Sequence, residues 1–161
     1  MTSVNDLLVK MIKWIELFKD LSDEDILELA NNFNLQFYPS WSVIIKEWQK
    51  PDSIYILKNW SLEAKKAHGM SSIVLWNVNP WEIFGEMSYL KWWNSMASVV
   101  ASEDCDVWQI SVDDFDKFVK TQPWVMDTIY ATMQKRQENN ENINFSSAKD
   151  LNEDDDIKIN L

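Results

Sequence analysis

The sequence predicts a mainly β fold with flanking helices, namely an eight-stranded, jelly-roll-like β-roll with α-helices on its N-terminal and C-terminal sides. Three observations predict it. Apolar residues recur at helical spacing early in the chain, short apolar runs broken by polar turns fill 36–111, and helical spacing then returns. The 161 residues suffice for one domain with its own core. We expect this domain over 1–138, followed by a tail.

Two helices are predicted before the roll, over 5–18 and 23–33. In the first, Asn5 is a candidate N-cap, and apolar residues share one face at Leu7, Leu8, Met11, Ile12, Ile15 and Phe18. The second opens with Ser22 and Asp25, which have the spacing of a capping box.

Eight strands are predicted in the β-roll over 36–111. Each is a short run with β-like composition, bounded by turn residues. In chain order the runs read QFYPS, SVIIKE, SIYILKN, SLEAKKA, SIVLWNV, EIF, ASVVA and DVWQIS. Many short strands at near-regular spacing are typical of a small barrel or a jelly roll.

Helices are predicted again over 112–138, and the last of them has an apolar face. Met126, Ile129, Tyr130 and Met133 share this face. It could cover the roll or form a homodimer contact. Residues 139–161 are acidic, rich in Asn and without periodicity, so we expect a disordered tail, with an interaction segment as the alternative.

The composition limits the classes of partner. A net charge of −11 repels both nucleic acid and anionic lipid surfaces, and no apolar run approaches the roughly 20 residues that span a bilayer. We therefore expect no nucleic-acid partner and no membrane insertion. The N-terminus lacks the pattern of a signal peptide, and the single Cys105 cannot form an internal disulfide, so a cytoplasmic location is predicted.

Residue types that carry catalysis are scarce. His68 is the one histidine and lies in a predicted hairpin tip, and there is neither a P-loop nor a dinucleotide-binding motif. We predict no catalytic residues, no metal site and no cofactor, hence a non-enzymatic protein. Glu86 stands apart from the other carboxylates because it follows Gly85 at a tight turn, where a helix N-terminus would point amides at an anion. A favourable contact of Glu86 with the helix dipole is the simpler interpretation.

Several segments, in order from about Leu17 to Met133, together resemble the cyclic-nucleotide-binding domain. This domain is shared by bacterial transcription regulators, kinase regulatory subunits and gated channels. The segments are LFKDLSDEDILELA, VIIKE-x-QKPDSIYILKN-x-SLEAKK, NP-x-EIFGEMSYL, ASVVASEDCDV and DDFDKF. Within them, FGEMS is similar to the phosphate-binding cassette of the family.

The resemblance implies a ligand site in the roll, with cyclic AMP as the candidate ligand. By this resemblance Gly85 lets the backbone approach the ligand, and Glu86 binds the ribose 2′-hydroxyl. The amides of Met87 and Ser88 face the cyclic phosphate. The remaining implied site residues, which line the base pocket or the roll interior or flank the phosphate, are Ile83, Ser95, Met96, Ala97 and Val99.

One departure from the family pattern concerns the phosphate. The family has an arginine in a Pro-Arg-x-Ala-x-Val segment, and here this position is Ser95. Because a charge-assisted hydrogen bond contributes about 1.5 to 3 kcal/mol, its loss predicts binding weaker by about 10- to 150-fold. The next position, where a threonine favours guanine in some relatives, is Met96, so nothing favours cyclic GMP.

Two functional hypotheses follow. The first is a regulatory sensor that binds a cyclic nucleotide, or a related small anion, and signals through its C-terminal helices to a protein partner. The second is a degenerate fold that serves as a protein-interaction or scaffold module without nucleotide, which Ser95 favours. No helix-turn-helix fits the acidic sequence after Met133, so direct DNA contact is not expected.

The counts of glycine and tryptophan are unusual. Glycine averages about 7% of residues, or about eleven in a chain of this length, whereas this chain has 2 Gly and 10 Trp. Seven of the tryptophans fall at positions suited to glycine: Trp41, Trp48, Trp60, Trp76, Trp81, Trp92 and Trp93. Asn59-Trp60 replaces the Asn-Gly of a two-residue hairpin, and Pro80-Trp81 replaces a Pro-Gly turn.

Three interpretations of these tryptophans are open. They are genuine and tolerated by altered turns, they form stacking platforms for sugars, or they are glycines encoded by UGA and read with the wrong codon table. The last is favoured because the substitution runs in one direction and is concentrated at turns. Trp108 fits a true tryptophan, while Trp14 and Trp124 are undecided.

Overall fold

The computed structural model describes residues 4–91, 94–127, 130–131, 134–135 and 138. Its helices are α1 (Val4–Trp14), α2 (Asp23–Asn31), α3 (Glu86–Lys91) and α4 (Val112–Thr121), with a 3-10 turn at Glu16–Phe18. Its strands are β1 (Asn34–Tyr38), β2 (Val43–Ile45), β3 (Ser53–Leu57), β4 (Leu62–His68), β5 (Ser71–Val78), β6 (Ile83–Phe84), β7 (Ser98–Ala101) and β8 (Cys105–Ser111). The predicted fold class, a β-roll of eight strands with helices on both sides, is confirmed.

The N-terminal helical region differs from the prediction in its bounds. Helix α1 starts at Val4, so Asn5 lies inside it and does not cap it. The helix also ends before residue 18, because Ile15 is extended with φ −75° and ψ 120°. On a straight helix Leu17 would lie on the opposite side from Ile15. The break lets both side chains be buried, together with Phe18.

Ser22 is the N-cap of the second helix, as its spacing from Asp25 predicts. The hydroxyl of Ser22 accepts a hydrogen bond from the amide of Asp25 at 3.1 Å and donates one to its carboxylate at 2.8 Å. Helix α2 ends at Asn31, two residues before the predicted end.

The strands form two four-stranded antiparallel sheets. The first sheet has the order β1-β8-β3-β6 and the second has the order β2-β7-β4-β5. Strands β3 and β4 therefore belong to different sheets, so the turn at Asn59-Trp60 is not the hairpin that its sequence predicts. It instead carries the chain from one sheet to the other. Only Trp60, and not Asn59, has a positive φ, whereas a two-residue turn of the Asn-Gly type needs both.

The first sheet separates two hydrophobic cores. All five residues of β3 are buried, and successive side chains point to opposite faces. Ile54 and Ile56 belong to the helix-side core, which also contains Leu8, Phe18, Leu29, Trp108 and Phe115. Tyr55 and Leu57 belong to the roll-interior core, whose other members include Ile45, Leu62, Val78, Phe84, Val99 and Val107.

Helix α4 follows the roll directly and packs on the helix-side core. The hydroxyl of Ser111 caps it by accepting from the amide of Asp114 at 3.1 Å. Phe115, Phe118 and Val119 are its buried residues. Residues 124–127 are helical again. Much of the predicted apolar face beyond them, and the tail over 139–161, lie outside the described residues.

None of the helices in the described ranges has the length and apolar character that crossing a membrane requires.

Candidate functional site

The candidate site begins at the turn between β6 and α3. Gly85 has φ +87°, and a Cβ there would lie 3.2 Å from the carbonyl oxygen of Ser53 and 3.2 Å from the ring of Tyr55. Both the backbone conformation and the close approach to β3 therefore require glycine. This turn fixes the position of the residues that follow it.

Glu86 is the first residue of α3, as its position after Gly85 predicts, and its side chain is fully buried. Burial of a carboxylate is costly unless charge or hydrogen bonds compensate for lost water, which is why buried acids concentrate at functional sites. Of the next two residues, Ser88 is buried and Met87 packs against the helix-side core. The structure thus brings Gly85, Glu86 and Ser88 together at a buried turn.

Ser95 lies in a segment that is tied to the turn between β2 and β3. Its amide donates to the carbonyl of Gln49 at 2.8 Å, and its carbonyl accepts from the amide of Trp48 at 2.7 Å. Its hydroxyl donates to the carbonyl of Ala97 at 2.6 Å. The Ser95 hydroxyl therefore has a local backbone partner, and the side chain brings no positive charge to the site.

The other predicted site residues divide between the roll interior and its surroundings. Ala97 and Val99 are buried in the roll-interior core, whereas the side chain of Met96 is 51% exposed. Ile83 was predicted to line the base pocket or the roll interior, but it belongs to the helix-side core. The reason is strand alternation, because in the two-residue strand β6 the next residue, Phe84, takes the inward face.

Two aromatic residues of the roll interior, Tyr55 and Phe84, are not among the site residues predicted from the sequence. The rings of Tyr55 and Phe84 stack with centroids 5.0 Å apart and an interplanar angle of 13°. Burial raises the pKa of the Tyr55 hydroxyl to about 12. The apolar character of β3 and β6 was visible in the sequence, but the pairing of Tyr55 with Phe84 across the sheet was not.

The far end of α3 is linked to α4 by a polar contact. The hydroxyl of Tyr89 donates to the carboxylate of Asp116 at 2.8 Å, and the other oxygen of this carboxylate lies 2.7 Å from the ammonium of Lys120. The hydrogen bond from Lys120, and then that from Tyr89, lowers the pKa of Asp116. The Tyr89 ring also meets Phe115 edge-on, with centroids 5.2 Å apart. The helix that carries Glu86 is thus attached to the first helix after the roll.

A groove of about 340 Å³ lies beside this contact and outside the roll. It is lined by Lys50, Pro51, Asp52, Tyr89, Ser111, Val112, Asp113 and Asp116. None of the nine predicted site residues lines it.

The one histidine and the one cysteine of the sequence lie elsewhere. His68 ends β4 at an exposed hairpin tip, as predicted. Cys105 is buried at the start of β8, and burial together with Asp106 and Asp104 raises the pKa of its thiol to about 11. Within the described ranges, no group of three or more His, Cys, Asp or Glu side chains could hold a metal ion.

Comparison with known proteins places this architecture in a family. The sequence profile described as the cyclic nucleotide-binding domain matches residues 35–122. The cyclic AMP receptor protein of Thermus thermophilus is 25% identical over 126 residues, which cover 78% of this chain and 58% of that protein.

Two solved structures of kinase regulatory subunits share the fold. The regulatory domain of Toxoplasma gondii PKA with cAMP has a TM-score of 0.69 at 23% identity, and the match covers 73% of this chain and 45% of that one. The second is the regulatory subunit of a cAMP-independent protein kinase A from Trypanosoma brucei. It is a triple mutant, including a threonine-to-arginine change, bound to cAMP in its A site. Its TM-score is 0.75 at 18% identity, with 88% of this chain and 51% of that chain covered.

The chain spans 58% of the length of the bacterial receptor and about half of each of the two kinase subunits. The family profile, by contrast, covers more than half of this chain, from β1 to the end of α4. On that match the chain belongs to the cyclic nucleotide-binding domain family.

Proposed function

We propose that this chain is a regulatory domain that binds a cyclic nucleotide, with cyclic AMP preferred over cyclic GMP, and signals through the helices after the roll. The observation that carries the proposal is the fully buried Glu86, which opens α3 directly after a glycine at positive φ. A buried carboxylate at the edge of an apolar interior can accept hydrogen bonds from the hydroxyls of a sugar. In this proposal it holds the ribose 2′-hydroxyl.

The remaining contacts follow from the same placement. The amides of Met87 and Ser88, in the first turn of α3, would face the cyclic phosphate. Ala97 and Val99, both buried in the roll interior, would contact the base. Ile83 leaves the proposed pocket, and Phe84 replaces it on the inward face. The ligand is a regulator of the protein and takes no part in a reaction, so the proposal assigns no catalytic residue and no cofactor.

Ser95 sets the expected affinity. Its hydroxyl is already bonded to the carbonyl of Ala97, and the family's arginine would have offered a charged fork to the phosphate. We expect cyclic AMP to bind about 10- to 150-fold more weakly than an arginine-bearing site would bind it.

The output would pass from α3 to α4 and onward to a protein partner. The hydrogen bond between Tyr89 and Asp116 couples the two helices directly, so a ligand that shifts α3 also shifts the packing of α4. A cytoplasmic location stays a prediction, which rests on the single cysteine. A homodimer through the C-terminal helix stays a prediction.

A second candidate function is an interaction module that binds no nucleotide. Ser95 favours it, as does a relative of similar fold that is described as cAMP-independent. The arginine-bearing mutant of that relative is bound to cAMP, so a missing arginine can be the feature that separates the two functions.

Calorimetric titration with cyclic AMP tests the proposal on the parent chain and on three variants. We expect saturable binding by the parent chain, at least tenfold tighter binding by Ser95→Arg, and weaker binding by the isosteric Glu86→Gln. Met70→Arg is the matched control, because it adds the same charge at a fully exposed methionine in the turn between β4 and β5, outside the proposed site. Circular dichroism establishes that each variant is folded.

The outcomes separate the two functions. Binding that tightens with Ser95→Arg but not with Met70→Arg, and that favours cyclic AMP over cyclic GMP, supports the sensor. No binding at millimolar cyclic AMP by either the parent or Ser95→Arg overturns it and leaves the interaction module.

A further inference from the structure

Four tryptophans have a backbone conformation that favours glycine. The φ angles are +69° at Trp41, +69° at Trp48, +67° at Trp60 and +70° at Trp81. In the described part of the chain, these are the only residues other than glycine with a positive φ. Bulky L-residues rarely occupy this region, because the Cβ clashes with the backbone.

Three of the four occupy the same place in the same kind of turn. The turns Pro39–Ser42, Lys46–Gln49 and Asn79–Glu82 are each closed by a hydrogen bond of 3.1 Å from the last amide to the first carbonyl. Tryptophan is the third residue each time, and it alone has a positive φ. That combination defines a type II turn, whose third residue is ordinarily glycine.

The interactions that hold these turns use backbone atoms, which glycine also has. The amide of Trp41 donates to the carbonyl of Ala101 at 2.8 Å, and the amide of Trp48 donates to that of Ser95 at 2.7 Å. The amide of Trp81 donates to the carbonyl of Leu57 at 2.6 Å. The side chains of Trp41, Trp48 and Trp60 are 60% or more exposed. Lys65 lies 5.9 Å above the ring of Trp41. The partly buried Trp81 has its ring 6.4 Å from that of Trp14 and packs against the helix-side core.

Tryptophans elsewhere do not share this conformation. Trp108 is buried within β8, and Trp14 and Trp124 are helical. Trp76 was also predicted to stand at a glycine position. It lies in β5 beside a register shift, but without a positive φ, so its backbone does not require glycine. Trp92 and Trp93 lie outside the described residues. Of the five predicted positions that the structure describes, it thus selects four.

We infer that residues 41, 48, 60 and 81 are glycine in the protein that its own organism makes, with UGA read as glycine at these codons. In that protein these turns contain a residue without a side chain. The indoles are then absent and form no binding surface. A carbohydrate-binding role for these aromatics is therefore dropped. The amide of residue 48 still holds the Ser95 segment, so the ligand site is the same in both forms of the protein.

The gene and the natural protein give the direct test. We expect TGA at codons 41, 48, 60 and 81, TGG at codon 108, and glycine at the four positions in peptide mass spectra of protein from the native source. TGG at codon 60, or tryptophan in the corresponding natural peptide, overturns the inference.

Stability gives a second test, which does not need the native source. Replacement of Trp by Gly at the exposed positions Trp41, Trp48 or Trp60 should raise the folding equilibrium constant by about 5- to 30-fold, because it removes the left-handed strain. Trp60→Ala is the matched control. It removes the same ring but keeps a Cβ, so it should not give this gain.

Trp124→Gly is the control for glycine itself, since it places glycine in a helix and should lower stability. Urea unfolding of all variants, including the quadruple Trp→Gly chain, gives the measurement. A quadruple variant less stable than the parent, or equal gains from Trp60→Ala and Trp60→Gly, would contradict the assignment.

Discussion

Gly85 is required at its position for two separate reasons, its positive φ and the atoms that surround it. Gly69 also has a positive φ, of +61°, but an added Cβ there would meet nothing within 4 Å. Substitutions at the two glycines can therefore be compared to separate the cost of backbone strain from the cost of crowding.

Gly85→Ala should lower the free energy of unfolding by about 2 to 5 kcal/mol, the sum of left-handed strain and overpacking. Gly69→Ala should cost only about 1 to 2 kcal/mol, because strain alone applies there. Urea unfolding of both variants measures the difference. Equal losses would mean that β3 moves aside and that the close approach at Gly85 is not a constraint.

Cys105 should be unreactive in the folded protein. Its thiol is buried, with a pKa raised to about 11, so little thiolate is present at neutral pH. Alkylation by iodoacetamide at pH 7 should be slow in buffer and fast in denaturant, with the rate followed by mass spectrometry. Rapid modification of the native protein would show that the start of β8 opens readily.

At the scale of elements, the contact between α3 and α4 is the one most open to experiment. Asp116 has a lowered pKa, so its contribution to stability is present above the ordinary pKa of a carboxyl and is lost as the pH falls through the lowered value. Tyr89 provides one of the two hydrogen bonds that cause the shift.

Tyr89→Phe should reduce the free energy of unfolding at pH 7 by about 1 kcal/mol, a value discounted for the partial exposure of Asp116. The difference from the parent chain should shrink in strongly acidic solution, where the carboxyl is protonated. Urea midpoints at both pH values give the test, and Tyr130→Phe, at an exposed tyrosine, is the control. A loss of the same size at both pH values would attribute the effect to ring packing.

The elements also differ in how well the sequence predicted them. Ser22 and Ser111 cap their helices through bonds to residues three positions later, and such local signals can be read from the chain. The first helix breaks at Ile15, and the break allows burial against residues distant in the chain. Local periodicity cannot reveal such contacts. The sequence also predicts a hairpin at Trp60, where the structure has none. Turn chemistry does not specify which sheet the next strand joins.

For the whole molecule, the first sheet couples the two cores, because β3 contributes to both of them. Ile56 faces the helices and Leu57 faces the roll interior, and both are fully buried. Loss of packing on either face should therefore destabilise the whole domain.

Ile56→Ala and Leu57→Ala should each lower the free energy of unfolding by about 2 to 5 kcal/mol, in a single transition seen alike by circular dichroism and fluorescence. Val74→Ala, at a residue of β5 that is 43% exposed, should change it by about 0.5 kcal/mol or less. If the helices melt at a lower urea concentration than the roll in the Ile56 variant, the two cores are not coupled.

The sequence by itself determined the order of helices and strands, the tight turn before Glu86, the absence of a positive charge at position 95 and the occurrence of turn sequences suited to glycine. These features depend on residue type and on spacing over a few positions. Only the tertiary structure decided that Ile83 faces the helices while Phe84 faces the roll, and that Tyr89 joins Asp116. Among the tryptophans that it describes, it also decided which ones have a positive φ. These outcomes depend on contacts between segments far apart in the chain, where burial and sheet pairing override local preference.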